Sequence, residues 1–274
     1  MSALRSALFL PAANPRAIAK ARTLPCDAVI LDLEDAVAPE MKADARIAAV
    51  ATVREGGFGA GTLVVRVNAL DTPWGPDDLA ALAGAPVTAV LVPKVDGPDD
   101  LHAIRAHLSA VPLWAMVESC RGVLALPALA AAARDLGLTA LVAGTNDLAK
   151  DMRCRPDPAR TPLLPALSGI VTAARAAGIT ALDGVCNALG DEARLAAECA
   201  TGAMLGFDGK TLIHPDQIAP ANTAFAPSEA ALAEARAIVA AFADPANADR
   251  GAIRLNGAMV ERLHLAQAER LLAE

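Results

Sequence analysis

Short apolar runs recur along the chain and alternate with helical patterns. Their Val, Ile, Leu and Ala content is typical of strands buried on both faces of a sheet. Strands that alternate with helices predict a parallel sheet, and a count of eight favours closure into a (β/α)₈ TIM barrel, an α/β fold. The predicted strands are Ser6–Leu10, Ala28–Leu33, Thr62–Val67, Ala89–Val92, Leu113–Val117, Ala140–Ala143, Thr180–Leu182 and Ala203–Gly206.

Helical stretches lie between these runs, and the rhythm changes after Phe225. A long helix with Ser228 as N-cap, a polar stretch, a short apolar run and a final helix from Glu261 then follow. We therefore expect a catalytic barrel over 1–226 and a C-terminal helical extension over 227–274, which either packs across the barrel or reaches a neighbouring subunit. The predicted barrel helices are Pro15–Arg22, Glu40–Arg54, Asp99–Leu108, Pro127–Leu136, Pro162–Ala177 and Asp191–Thr201, with Gly178 as a left-handed helix end.

The composition narrows the possible functions. Hydrophobic residues make up 54% of the chain but aromatic residues only 3%, which suits a buried parallel sheet better than an aromatic-rich sandwich. The net charge of −7 argues against a nucleic-acid partner. Five scattered cysteines fit a reducing compartment, and no apolar run reaches the roughly 18 residues of a membrane helix. We expect a soluble, cytoplasmic protein without a membrane partner.

Polar residues follow most of the predicted strands. In a barrel of this kind, the carboxyl ends of the strands build the active site, so these residues predict a functional rim. The alternative is that each is a solvated loop residue, as most charged residues are. The rim residues are Asp32, Glu34, Asp35, Arg66, Asn68, Lys94, Glu118, Ser119, Asn146, Asp147, Asp183, Asp208 and Lys210.

The residue types at the rim restrict the chemistry. The sequence has no HExxH, no cysteine cluster and no P-loop, which argues against zinc and nucleotide chemistry. The glycines of Gly57–Gly61 precede a predicted strand, which is the wrong order for a dinucleotide loop. Glu118 and Asp147 follow neighbouring strands, and one or two carboxylates with water and substrate are typical of Mg²⁺ sites. Two unconnected surface acids are the alternative.

A series of short motifs resembles the citrate lyase beta subunit family of aldolase-type barrels (the HpcH/HpaI aldolase superfamily), which includes malyl-CoA lyases and related CoA-ester lyases. The order and spacing of the motifs carry the resemblance over nearly the whole chain. The motifs are Arg5–Pro11, Asp32–Val37 with Lys42 and Arg46, Arg66–Asn68, Pro93–Lys94, Glu118–Ser119, Gly144 with Asp147–Leu148, Asp183–Gly184, and Gly206–Pro215 with Gln217.

The resemblance implies roles for the rim. Glu118 and Asp147 would bind Mg²⁺, and Asp35 would hold metal-bound water. Arg66 would contact the substrate carbonyl or the developing enolate. A fixed guanidinium suits that charge, since it stays protonated and offers a rigid fork of donors.

The resemblance also implies a substrate surface. The backbone after Gly144, at Thr145 and Asn146, would bind the carboxylate of a 2-keto acid. Arg16 and Lys20 would hold the CoA moiety of a CoA thioester, although solvated helix residues would look the same.

One position departs from the family pattern. Family members often place an Asp after a Gly-x-Met-hydrophobic motif, as the acid/base supplied by the adjacent subunit. Here the stretch Gly257–Val260 leads to Glu261. The extra methylene moves the carboxylate by about 1.5 Å, so Glu261 is either a replacement base, a retuning of the substrate, or an ordinary helix-start acid. A homotrimer or homohexamer is implied by the resemblance.

The function implied is a Mg²⁺-dependent carbon–carbon lyase. It would cleave or form a 3-hydroxyacyl-CoA thioester such as malyl-CoA, giving an acyl-CoA and a 2-keto acid such as glyoxylate. Three alternatives remain open: a malyl-CoA-type thioesterase, a citrate lyase beta subunit that acts only within a complex, and an aldolase on free keto acids.

Overall fold

The computed structural model describes residues 4–247 and 249–273. Its internal contacts divide the chain into two compact units, Leu4–Phe225 and a second unit within Ala226–Glu274. Each unit has its own apolar core.

The first unit is a closed barrel of eight parallel strands in sequential order, as the sequence predicted. The last strand pairs back onto the first, with Ser6 opposite Lys210. Side chains alternate between the barrel interior and the surrounding helices, so one apolar cluster, which includes Ile30, Leu91 and Trp114, fills the interior. The strands are β1 (Ser6–Pro11), β2 (Ala28–Asp32), β3 (Thr62–Arg66), β4 (Ala89–Val92), β5 (Leu113–Val117), β6 (Leu138–Ala143), β7 (Thr180–Asp183) and β8 (Gly209–Leu212).

Helices surround the strands, and local signals explain several of their ends. The side chain of Asn14 accepts a hydrogen bond from the backbone N–H of Ala17 (3.1 Å) at the start of the first helix. Gly178 ends the eighth helix with φ +67°, which confirms the predicted left-handed cap. The helices of this unit are α1 (Pro15–Ala21), α2 (Lys42–Glu55), α3 (Gly75–Leu82), α4 (Pro98–Arg105), α5 (Cys120–Leu124), α6 (Leu126–Leu136), α7 (Thr145–Asp151), α8 (Leu164–Ala177), α9 (Glu192–Leu205) and α10 (Ile218–Ala224).

The seam between β8 and β1 depends on a residue without a side chain. A Cβ atom on Gly209 would lie 1.9 Å from the carbonyl oxygen of Leu4 and 2.7 Å from Cα of Arg5. Only glycine allows the two backbones to approach so closely.

The predicted eighth strand was wrong. Ala203–Leu205 is the last turn of α9, Gly206 is its left-handed cap, and β8 begins at Gly209. A short apolar run fits a helix as well as a strand, whereas the true strand contains Lys210, a residue that an apolar pattern passes over. The segment between α7 and α8 contains Arg160, which is buried.

The second unit contains two helices and a β-hairpin, so the extension is not wholly helical. Its elements are α11 (Glu229–Ala243), β9 (Ala252–Leu255), β10 (Ala258–Glu261) and α12 (Arg262–Ala273). Asn256 and Gly257 form the two-residue hairpin turn with φ of +51° and +86°, as a turn of the primed type requires. Ser228 caps α11 through the N–H of Ala231, as predicted. Glu261, expected to begin the last helix, ends β10 instead.

No helix in the described part of the chain is both long and apolar enough to span a membrane.

Candidate active site

The carboxyl ends of several strands present polar side chains to two cavities. Asp32 ends β2, Arg66 ends β3, Glu118 directly follows β5 and Gly144 directly follows β6. The smaller cavity, of about 310 Å³, has Asp32, Asp35, Arg66, Glu118, Thr145, Asn146, Asp147 and Asn187 as its polar lining. The larger cavity, of about 750 Å³, is lined on its polar side by residues that include Lys94, Glu118, Ser119, Asp147 and Lys150.

Arg66 is held by carboxylates on every side of its guanidinium. Its Nε and Nη2 donate to the two oxygens of Asp32 at 2.7 and 2.6 Å, and its Nη1 lies 2.7 Å from Glu34 and 3.5 Å from Asp35. The ring of Phe9 lies 4.9 Å from the guanidinium carbon. Burial alone would lower the pKa of Arg66, but the hydrogen bonds and charge of Asp32 raise it above its usual value. The guanidinium is therefore a fixed positive charge.

The carboxylate of Asp32 is fully hydrogen-bonded in return. Besides Arg66, it accepts the backbone N–H groups of Glu34 (2.9 Å) and Ala36 (3.0 Å). Asp32 thus fixes both the guanidinium and the loop after β2.

Lys42 also binds the loop after β2, through hydrogen bonds to its backbone. Its buried ammonium donates to the carbonyl oxygens of Leu33 (2.8 Å) and Glu34 (2.7 Å) and to Oδ1 of Asn68 (2.7 Å). Burial lowers the pKa of Lys42 despite nearby carboxylates. The loop that carries Glu34 and Asp35 is thereby tied to the end of β3.

Glu118 is buried at the boundary of the two cavities. Its Oε1 accepts the backbone N–H of Lys94 at 2.7 Å. A Cβ atom on Gly144 would lie 2.4 Å from Cβ and 2.6 Å from Oε2 of Glu118, so the carboxylate packs against bare backbone. Burial, together with the charge of Glu34, raises the pKa of Glu118 to about 7.

Asp147 lies in the first turn of α7 and is half-buried. Glu118 and Asp147 both line the smaller and the larger cavity, so the structure places the two predicted metal ligands at the same mouth. Within residues 4–247 and 249–273, no group of three or more His, Cys, Asp or Glu side chains is placed to hold a metal ion. Two carboxylates with open positions are a donor set that fits Mg²⁺, which keeps several waters and takes further oxygens from substrate.

The other predicted site residues are spread more widely. Asp35 is exposed at the smaller cavity, Thr145 is buried there, and Asn146 exchanges hydrogen bonds with Asn187 (2.6 and 3.4 Å). Arg16 and Lys20 are exposed on α1, outside the lining of both cavities. Glu261 belongs to the second unit.

Two predicted rim residues, Asp183 and Lys210, lie behind the barrel wall. Both are fully buried and pair at 3.1 Å, with Arg160 bonded to Asp183 (2.7 Å) and Glu198 lying 3.3 Å from Lys210. Leu182 occupies the interior position of β7, so its neighbour Asp183 must point outward. The alternation of side chains along β7 would have predicted this outward direction from the sequence.

The sequence reading gave no role to Asp32, Glu34, Lys42 or Lys94. Clustered acids at the end of β2 and directly after it were the available signal for Asp32 and Glu34. Lys94 was predicted at the rim and Lys42 in a family motif, but the residue type of neither indicates the groups that it contacts, because lysines are mostly exposed.

A closed eight-stranded barrel with a carboxylate-lined mouth is the architecture of a barrel enzyme that works at its strand ends. The chain belongs to the HpcH/HpaI aldolase/citrate lyase family, whose profile matches residues 5–215.

Similar proteins extend this finding. A protein named (3S)-malyl-CoA thioesterase from Cereibacter sphaeroides is 44% identical over 270 residues, covering 98% of this chain and 94% of the relative. Citrate lyase subunit beta from Escherichia coli is 35% identical over 283 aligned positions, covering 97% and 93%. The crystal structure of CitE from Mycobacterium tuberculosis in complex with magnesium, acetoacetate and coenzyme A superposes with a TM-score of 0.84 at 34% identity, covering 99% of this chain and 98% of that one.

Proposed function

We propose that this chain is a Mg²⁺-dependent enzyme that hydrolyses a (3S)-malyl-CoA-like thioester. The observation that carries the choice of hydrolysis is the 44% identity, over 98% of the chain, to proteins named (3S)-malyl-CoA thioesterase. The sequence favoured the lyase, but the citrate lyase beta subunits are less similar, at 33–35% identity.

Four of the rim residues, together with Asp32, have roles in this proposal. Glu118 and Asp147 hold Mg²⁺, which would supply a Lewis acid for a substrate carbonyl oxygen. Arg66, locked by Asp32, keeps a positive charge where negative charge develops on that oxygen. Asp35, exposed at the smaller cavity, orients water near the metal site.

The remaining contacts belong to the substrate and the assembly. Backbone N–H groups at Thr145 and Asn146 receive the carboxylate of the acyl group, and Arg16 and Lys20 receive the CoA phosphates. Glu261 serves as acid/base, supplied by an adjacent subunit of a homotrimer or homohexamer.

A carbon–carbon lyase is the second candidate. The family match and the M. tuberculosis CitE complex with magnesium, acetoacetate and coenzyme A favour it. Cleavage would release an acyl-CoA and glyoxylate, and the same fixed guanidinium would face the enolate oxygen.

One assay separates the candidates. Purified protein is incubated alone with (3S)-malyl-CoA and Mg²⁺, and both free thiol and glyoxylate are measured. Free thiol without glyoxylate supports hydrolysis, whereas glyoxylate without free thiol supports the lyase. Turnover that appears only after an acyl carrier protein is added would instead assign the chain to a complex. A protein that stays inert both alone and with the acyl carrier protein overturns the proposal.

A further inference from the structure

Lys94, the second residue after β4, has an unusual backbone conformation. Lys94 has φ +52°, in the left-handed region, and is one of four non-glycine residues with positive φ in the described part of the chain. Residues with a Cβ atom rarely adopt this backbone conformation, and it persists only where surrounding contacts enforce it. The chain then rejoins β5, since Val95 N–H donates to the carbonyl of Met116 at 3.2 Å. The turn is therefore confined to Lys94.

The backbone of Lys94 contacts Glu118. The left-handed turn directs the Lys94 N–H at Oε1 of Glu118 (2.7 Å), while the bare backbone of Gly144 lies against Oε2. One oxygen is held by a hydrogen bond and the other by close packing. The conformation of residue 94 thus sets the direction of the Glu118 carboxylate.

The side chain of Lys94 contacts a second acid. Its ammonium bonds Oε1 of Glu34, whose Oε2 lies 2.7 Å from Arg66. Glu34 is buried, and a buried carboxylate needs compensating charge. The charge of Arg66 is shared with Asp32, with which it also forms an ion pair. Lys94 therefore supplies a second cation for Glu34. One residue thereby joins the acid of the β2 loop to the acid of the β5 loop.

We propose that Lys94 is a positioning residue, which sets the Glu118 carboxylate through its backbone N–H and the Glu34 carboxylate through its ammonium. This inference rests on the proposed function in one respect, that Glu118 is a metal ligand. The alternative is an ordinary ion pair made by a half-exposed lysine. The two readings differ because only the first requires the left-handed backbone.

Substitutions can separate the two contacts. Lys94→Gly keeps the N–H and tolerates positive φ, but loses the ammonium. Lys94→Ala loses the ammonium and, like lysine, has a Cβ that disfavours positive φ. Because the ionic contact with Glu34 no longer offsets this preference, the backbone relaxes and the N–H turns away from Glu118. Lys94→Arg keeps a cation within reach of Glu34. Asn256→Gly is the matched control, because Asn256 also has positive φ (+51°) and lines neither cavity.

The readouts are Mg²⁺ affinity by calorimetry, steady-state kinetics on (3S)-malyl-CoA, and crystal structures of Lys94→Gly and Lys94→Ala. We expect Lys94→Gly to keep the wild-type Mg²⁺ Kd within about threefold but to lose at least tenfold in kcat. Lys94→Ala should weaken Mg²⁺ binding more than fivefold, with Glu118 displaced. Lys94→Arg should restore kcat to within about fivefold of wild type, and Asn256→Gly should match wild type.

Equal Mg²⁺ affinity and an unmoved Glu118 in Lys94→Gly and Lys94→Ala would overturn the inference. The proposed function fails separately. If the wild type neither binds Mg²⁺ nor turns over malyl-CoA, yet Glu118 moves in Lys94→Ala and not in Lys94→Gly, the positioning role stands and the assigned reaction falls.

Discussion

The guanidinium of Arg66 and the carboxylate of Asp32 form a two-point pair, with Nε and Nη2 donating to Oδ1 and Oδ2 at 2.7 and 2.6 Å. The pair joins the last residues of β2 and β3, which are also partners in the strand register. Because both groups are buried, each depends on the other for its charge balance.

Asp32→Asn should therefore destabilise the fold. We expect a loss of about 3 kcal/mol in the free energy of unfolding, since a buried guanidinium loses its main counter-charge while keeping Glu34. Urea denaturation measures the change. Asp77→Asn is the control, because the ion pair of Asp77 with Arg46 is long (3.4 Å) and exposed, and we expect a change within about 0.5 kcal/mol. Equal effects of the two substitutions would contradict the role given to Asp32.

Gly144→Ala should displace Glu118. The new methyl group would lie 2.4 Å from Cβ of Glu118, so the side chain or the backbone has to move. We expect a loss of about 2 kcal/mol in stability from overpacking, and at least a tenfold loss in Mg²⁺ affinity. Gly61→Ala, where a Cβ meets nothing within 4 Å, should leave both unchanged. Wild-type Mg²⁺ affinity in Gly144→Ala would show that the packing against Glu118 is unimportant.

Mg²⁺ should raise the Tm of the wild type, and Glu118→Gln should abolish the rise. At a Mg²⁺ concentration of a hundred times Kd, binding to the folded state adds about 2.7 kcal/mol. Differential scanning fluorimetry with and without Mg²⁺ measures the rise. Asp71→Asn, at the larger cavity, should keep it. A full response in Glu118→Gln would remove Glu118 from the metal site.

Asp183 should make stability depend on acid pH. Burial alone would raise the pKa of Asp183, but Lys210 and Arg160 outweigh burial and hold it below its usual value. The stabilisation is therefore complete above the unfolded-state pKa of about 3.9 and is lost as pH falls through the lower folded-state value. We expect the urea midpoint of the wild type to fall steeply below about pH 4, and that of Asp183→Asn to fall less steeply from a lower starting point. Parallel curves would contradict this.

Glu261→Gln should lower kcat at least a hundredfold if Glu261 transfers a proton during turnover. Mg²⁺ should still raise the Tm of this variant, in contrast to Glu118→Gln. Glu269→Gln in the same unit is the control and should retain activity. Activity in Glu261→Gln within a factor of three of wild type would place the acid/base elsewhere.

The barrel was predictable because alternating strands and helices leave a strong pattern, and seven of the eight strands lie where their apolar runs indicated. The eighth could not be found in this way, since Lys210 enters β8 only because Asp183 and Glu198 neutralise it behind the wall. Pairings of this kind join residues far apart in the sequence.

The candidate site was predictable in part. Glu118 and Asp147 follow neighbouring strands, so their meeting at one mouth follows from the fold. The left-handed conformation of Lys94 could not be foreseen, because positive φ is usually marked by Gly or Asn. The sequence also did not show that three carboxylates, those of Asp32, Glu34 and Asp35, surround the guanidinium of Arg66.

The contact of Gly209 with Leu4 has a consequence for synthesis on the ribosome. β1 is made first but finds its second neighbour, β8, only after some two hundred further residues, so β1 and β7 each keep an open edge until Leu212 has emerged. Open edges invite pairing with other chains. A nascent chain halted before β8 is thus prone to aggregate. A side chain at position 209 would prolong this risk, because it would keep β8 from pairing with β1 and leave both strand edges open in the full-length chain.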